Sequence, residues 1–340
     1  MRFLKGFCVL GVSALMGAAA GAGCGGDDAG ETSSSASSAG GTGGGAPADC
    51  SPTNPVCTAV ASECIAVHDN QGATKFGLRM AQLTITKPDV LAVGYIARLV
   101  AEGLTMNLPV CNLNGTGTFS WLLEFDTATG KLRTGGAMPT SDPRAGYCFA
   151  NMSAGEFEIA PKELDAPLTD GAWSGAADIL NVPIFLDTGA GGAAAEPIVL
   201  PMHQVQLTDA KVSADNNCIG RYNREGLNPM EACLPGPDGD PPAFINGGKL
   251  TAFITLEEVD RVIIPGIEQS LCVVLSGDIG EYGTGETPNT CKRDESGEIV
   301  LKGDWCSATN SAATDECADA YALGGEYAAS AVKITGLCPQ

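Results

Sequence analysis

The stretch TGTFSWLLEFDTATGKLRTGG, residues 116–136, decides the fold. Phe119, Trp121, Leu123 and Phe125 recur at every second position. A pleated strand sends alternate side chains to opposite faces, so these four share one face. Ser120, Leu122, Glu124 and Asp126 take the other face, where Leu122 is the apolar exception and implies a second cover. Asp126-Thr127-Ala128-Thr129-Gly130 has turn composition, and Lys131 to Thr134 returns as the partner strand.

Outward from this hairpin the same grammar repeats. FGLRMAQLTIT (76–86) reads as a strand with both faces partly apolar. Thr86 is placed to cap a helix over Val90–Leu104, with Pro88 and Asp89 in its first turn. Further strands are expected at Gly155–Ile159, Ala172–Leu180, Pro183–Leu186, Ile198–Leu200, Val205–Val212 and Ala328–Ile334, punctuated by prolines. Residues 247–277 give the best helix signal. Thr255 and Glu258 form a capping box, and Val259, Val262, Ile263, Ile267, Leu271 and Val274 form an apolar stripe. Pro265-Gly266 should kink or split that helix. The fold class is therefore mainly β (α+β): an antiparallel β-sandwich or barrel-like sheet with one or two capped helices, rich in disulfides. The two strand-to-helix junctions, near 76–105 and 247–277, share a design that suggests an internal duplication.

The 340 residues include 19 Lys+Arg against 40 Asp+Glu, a net charge of −21. Nucleic acid is excluded as a partner, because neutralising phosphates requires a basic surface. Charge-driven adhesion to anionic lipid is excluded on the same ground.

The chain opens MRFLKGFCVLGVSALMGAAAGAGCGGDD. Arg2 and Lys5 make a positive n-region, and Phe7 to Met16 is an apolar run too short for a stable membrane span. The small residues up to Cys24 resemble a bacterial lipoprotein signal. That resemblance implies a signal peptide over 1–23 and acylation (palmitate-type chains) at Cys24. Gly21 stands where such signals usually carry a large aliphatic residue. Ordinary cleavage after Ala18-Ala19-Ala20 is the alternative. Residues 24–49 then form a Gly/Ser-rich tether without a large apolar side chain, and 50–340 form the extracytoplasmic domain.

Fourteen cysteines occur. Beyond Cys8 and Cys24 these are Cys50, Cys57, Cys64, Cys111, Cys148, Cys218, Cys233, Cys272, Cys291, Cys306, Cys317 and Cys338. An even count in an exported chain reads as disulfides. The pairing is open, with on the order of ten thousand possibilities. The loop CIGRYNREGLNPMEAC favours Cys218 with Cys233. No CxxC is present, and the two histidines have no zinc-ligand spacing, so neither metal nor cofactor is expected.

Catalytic signatures are sparse: GxSxG, HExxH, a P-loop and GxGxxG are all missing. Glu124 and Asp126 lie two apart on one face of the hairpin, a carboxylate pair of the kind used in general acid/base work or to hold a cation. His68 and His203 lack assigned partners. Asp238-Gly239-Asp240 and Asp294 to Glu298 are oxygen-rich loops without the calcium-loop pattern. Trp121 reads as core, whereas Trp173 and Trp305 are open between core and a sugar-stacking surface.

The GCGGDD start, the Ser/Gly tether, FSWLLEFD, NNCIGRYN (216–223) and EQSLCVVLSGD (268–278) together resemble the cysteine-rich secreted lipoproteins of myxobacteria and related gliding or predatory bacteria. The resemblance covers most of the chain. It implies export to the cell envelope and a lipid anchor at the outer membrane or surface, and it carries no catalytic residue. Three function classes follow. The first is a non-catalytic envelope or binding lipoprotein with a protein, glycan or apolar small-molecule partner. The second is a carrier holding a lipid or other apolar ligand beside the 256–276 segment. The third is a carboxylate-dependent hydrolase of extracellular polymer.

Overall fold

The computed structural model describes residues 64, 66–108, 113–114, 116–185, 196–223, 244–265, 267–277 and 289–339. Eight long strands organise it: β1 (Lys75–Lys87), β2 (Trp121–Asp126), β3 (Lys131–Gly136), β4 (Lys162–Asp165), β5 (Ala172–Ile184), β6 (Ile198–Lys211), β7 (Gly248–Thr255) and β8 (Ala320–Ala331). Their order in the sheet is β5-β6-β7-β8-β1-β2-β3-β4, antiparallel throughout. Almost every strand pairs with its neighbour in the chain, and β8 returns to pair with β1. This is an up-and-down meander, and it is nearly closed into a barrel. The open seam runs between β4 and β5, which pack together without a ladder. A Phe119–Ile184 bridge draws the far end of the seam shut.

The strand grammar of the hairpin holds. Phe119, Trp121, Leu123 and Phe125 are all buried in the barrel interior, with Phe76, Leu78 and Met80 of β1 beside them. Leu122 is buried too, in a second, smaller core on the outer face. There it meets Ala81, Tyr147, Phe149 and Phe244. Covering both faces explains why alternation in β1 and β2 is blurred in the sequence.

The helices differ from expectation. The first splits into α1 (Asp89–Ala92) and α2 (Gly94–Leu104), because Val93 adopts an extended backbone between them. Pro88, not Thr86, holds the N-cap position, and no side chain caps it. The 247–277 segment is first a strand (β7), then a single capped turn, α3 (Leu256–Val259), and after a short hairpin α4 (Leu271–Ser276). Thr255 caps α3 as read, with the Glu258 N–H donating to Thr255 Oγ1 at 3.3 Å, while the Glu258 carboxylate accepts from the Thr255 hydroxyl instead of completing the box. The long helix does not form. Ile263–Ile264 and Gln269–Ser270 pair as strands around Pro265, which lacks an amide to continue a helix. The two strand-to-helix junctions sit at the first and seventh strands and leave the barrel at one end, where Lys87 and Thr255 face Gly324 and Ala320 of β8. From there Leu91, Val100, Leu104, Val259, Leu271 and Val274 enter the barrel core.

Among the described residues four disulfides are formed: Cys64–Cys218, Cys148–Cys338, Cys272–Cys291 and Cys306–Cys317. They point to an oxidising, extracytoplasmic compartment. The local pairing of Cys218 with Cys233 is therefore corrected. Cys218 opens the short strand Cys218–Ile219, which pairs with β8, and Cys64 lies across from it with Cα atoms 5.7 Å apart. Cys24, Cys50, Cys57, Cys111 and Cys233 lie outside the described residues.

Candidate functional site

A pocket of about 420 Å³ opens on the outer surface of the barrel, between the segment 68–73 that leads into β1 and the segment 332–336 that follows β8. Its floor is Lys75 to Gly77 of β1, Glu124 of β2 and Arg133 of β3. Gly77 makes the crossing possible. The Val332 amide donates to the Gly77 carbonyl at 3.0 Å, and a Cβ on Gly77 would lie 2.6 Å from Ile334 Cγ1 and 2.8 Å from the Val332 carbonyl. No larger residue fits under that strand.

Each wall is stapled. After β8 the chain runs through Lys333 to Ile334–Leu337, pairs in parallel with Tyr147–Phe149, and is tied by Cys148–Cys338. The facing wall, His68 to Ala73, is tied by Cys64–Cys218 and by an amide network. In that network the Asn70 amide N–H donates to Asn217 Oδ1 (2.8 Å), and Asn70 Nδ2 donates to the Gly77 (2.9 Å) and Asn216 (3.0 Å) carbonyls. Thus two disulfides hold this one pocket.

The charges on the floor follow from register. Glu124 sits opposite Arg133 across the β2–β3 ladder and opposite Gly77 across β1–β2. Its carboxylate is ion-paired to Arg133 and lies 3.6 Å from Lys75 Nζ. Arg133 also stacks over the Phe149 ring at 4.9 Å, and its Nε is buried without an acceptor. Asp126 does other work: its Oδ1 accepts from the Ala128 and Thr129 amides (3.0 and 3.2 Å) and shapes the hairpin turn. Glu124 and Asp126 therefore do not share a set of partners. One is held between two cations and the other caps a turn.

Beneath the floor lies a feature with no sequence signal, the buried Arg79. Among the described residues no carboxylate meets it. It donates instead to Ser120 Oγ (2.9 Å) and to the Phe119 (3.0 Å) and Met80 (3.2 Å) carbonyls, and it packs on Tyr147. Burial pushes the guanidinium pKa down and the Tyr147 hydroxyl up.

His203 forms a separate constellation. A bulge in β6, with Gln204 at φ +48°, switches the inward set from Met202 to Val205 and leaves His203 outside. Its ring stacks on Phe253 at 5.3 Å. Its Nε2 lies 2.5 Å from Glu258 Oε2, the same oxygen that accepts from Thr255 Oγ1 at 2.6 Å. Burial raises the Glu258 pKa, but these hydrogen bonds outweigh it and hold the carboxyl below its ordinary value. In a serine-type triad the hydroxyl faces the imidazole. Here it faces the carboxylate, so the cluster clamps α3 to β6. Because the folded pKa is depressed, its stabilisation is present above the unfolded pKa of about 4.3 and is lost as pH falls through the folded value. Glu258→Gln should therefore cost about 1–2 kcal/mol near neutral pH. It should also flatten the acid side of a plot of thermal midpoint against pH, and an unchanged acid limb would refute the assignment.

Several of the remaining sequence candidates make contacts within the fold. Trp173 is buried edge-on to Phe125 at 5.0 Å. Trp305 donates to Asn310 Oδ1 at 3.2 Å. Asp294 accepts from Ser296 and Glu298 within its own loop. Asp238 and Asp240 lie outside the described residues. Asp260 approaches Cys272 and Cys291, and Asp319 approaches Cys306 and Cys317. Those sulfurs are spent in disulfides and offer no thiolate to a metal. Of Val259, Ile263, Ile267 and Leu271, beside which the carrier reading expects a groove, Val259 and Leu271 are core residues and Ile263 and Ile267 are half-buried. Comparison with protein-family models, curated proteins and solved structures finds no match to the chain.

Proposed function

We propose that the protein is a lipid-anchored, extracytoplasmic binding component of the bacterial cell envelope, without catalytic activity. The observation that carries this reading is the pocket between two disulfide-tied segments, whose single carboxylate is neutralised by Lys75 and Arg133. A base for proton transfer needs a free, tuned carboxylate, whereas fixed charges between rigid walls suit recognition. The anchor is supported by the lipoprotein-like approach to Cys24 and by the tether behind it. Among the described residues no helix is long and apolar enough to cross a membrane. Attachment then rests on the acyl chains, each buried CH₂ adding roughly 0.8 kcal/mol. A tether of this composition spans roughly 25–30 Å on average, from its root-mean-square length of about 5–6 Å × √n. That distance lets an acidic domain stand clear of anionic headgroups.

Cell fractionation with a clickable palmitate analogue tests the anchor. The wild-type chain should be labelled and sediment with membranes. Cys24→Ser should lose the label and become soluble in the extracytoplasmic fraction. Membrane retention of an unlabelled Cys24→Ser protein would defeat the reading.

A further inference from the structure

We infer that the pocket over β1 binds a small organic molecule carrying oxyanion charge, as phosphate, sulfate or carboxylate groups. The inference rests on the binding reading above and names its ligand class. Three cations, Lys75, Arg133 and Lys333, line this space, and Glu124 is its one carboxylate. That is a local excess of positive charge on a chain with 40 acidic and 19 basic residues. Chance placement on so acidic a surface would give the opposite sign.

A structural ion pair accounts for only part of the cluster. Glu124 and Arg133 face each other across the ladder, and that pair is complete without further charge. Lys75 adds a second cation to the same carboxylate. Lys333 is on the opposite wall, is exposed, and meets no carboxylate among the described residues. Arg133 contributes a guanidinium to the lining, and a guanidinium fork matches planar or tetrahedral oxyanions. His68 adds a further ring nitrogen at the rim.

Screening favours the local charges over the global field. At physiological salt the Debye length is about 8 Å, so the distant acidic surface contributes little inside the pocket. Low-dielectric walls concentrate the field of the nearby cations. A volume of about 420 Å³ exceeds what a bare inorganic ion fills, and the half-buried Ile334 supplies an apolar side. The occupant is therefore an organic anion, with its charged group toward Lys75, Arg133 and Lys333 and its carbon skeleton against that wall.

Calorimetric titration of the full-length oxidised protein in neutral detergent tests this, with inorganic phosphate, sulfate and citrate as probes at constant ionic strength. At least one probe should bind saturably at one site per chain. Lys333→Gln and Lys75→Gln should each weaken it about tenfold or more, the size of one charge-assisted contact. Lys249→Gln, whose lysine pairs with Asp209 elsewhere, should leave binding unchanged. Lys333 is exposed, so its replacement should keep the thermal midpoint. Heats that never saturate for any probe, or affinities indifferent to both pocket lysines, would overturn the proposal. Acylation at Cys24 is scored separately, so an anchored protein that binds no anion refutes the pocket alone. A protein that binds anions without being acylated refutes the anchor alone.

Discussion

Trp121→Ala should destabilise the domain by about 3–5 kcal/mol, the range for emptying a buried aromatic site. The indole is fully buried between Phe119, Leu123 and Phe125. It also donates through Nε1 to Thr134 Oγ1 on β3 at 2.8 Å. Thr134 itself donates onward to the Leu122 carbonyl at 3.0 Å, so truncation leaves that hydroxyl with a partner. Most of the loss is therefore cavity rather than an orphaned polar group. Trp121→Phe should separate the two contributions, keeping much of the volume and costing about 1 kcal/mol for the lost hydrogen bond. Urea unfolding measures both. A neutral Trp121→Ala would mean that the hairpin is registered the other way, with the indole in water.

The second large effect belongs to the long-range staples. Cys148–Cys338 spans 190 residues and Cys64–Cys218 spans 154. Loop-closure entropy assigns such crosslinks about 5 kcal/mol, against about 3 kcal/mol for the 11-residue span of Cys306–Cys317. Replacing Cys148 and Cys338 together by serine should lower stability by about 3–5 kcal/mol. The same change frees the wall that carries Lys333, so anion affinity should fall in parallel. The Cys306/Cys317 double serine variant should lose less stability and keep the pocket. Denaturant midpoints that rank the two pairs in the reverse order would contradict this account of the walls.

Much of this was legible in the sequence, and the parts that were not share a cause. The hairpin from Phe119 to Thr134, strand β1 and the Thr255–Glu258 cap are local patterns, and each appears where its pattern put it. The apolar stripe from Val259 to Val274 was misleading, because a packed core takes in apolar residues whatever secondary structure presents them. Pro265 already argued against continuity there. Cys218 looked local because only its loop to Cys233 is visible along the chain. Its partner Cys64 is brought near by β8, with which both the Cys218–Ile219 strand and the Val67 amide pair. The pocket was only partly legible. Glu124 and Arg133 face each other in the local hairpin and β1 brings Lys75 beside them, but Lys333 joins them only once β8 closes on β1 and the chain recrosses at Gly77.

The most direct test of the central claim is the intact mass of the mature protein extracted from membranes, followed by peptide mapping without reduction. The account predicts an N-terminus at Cys24 carrying acyl chains, ahead of a domain in which Cys64 joins Cys218 and Cys148 joins Cys338. An unmodified N-terminus produced by cleavage after Ala18-Ala19-Ala20 would contradict it.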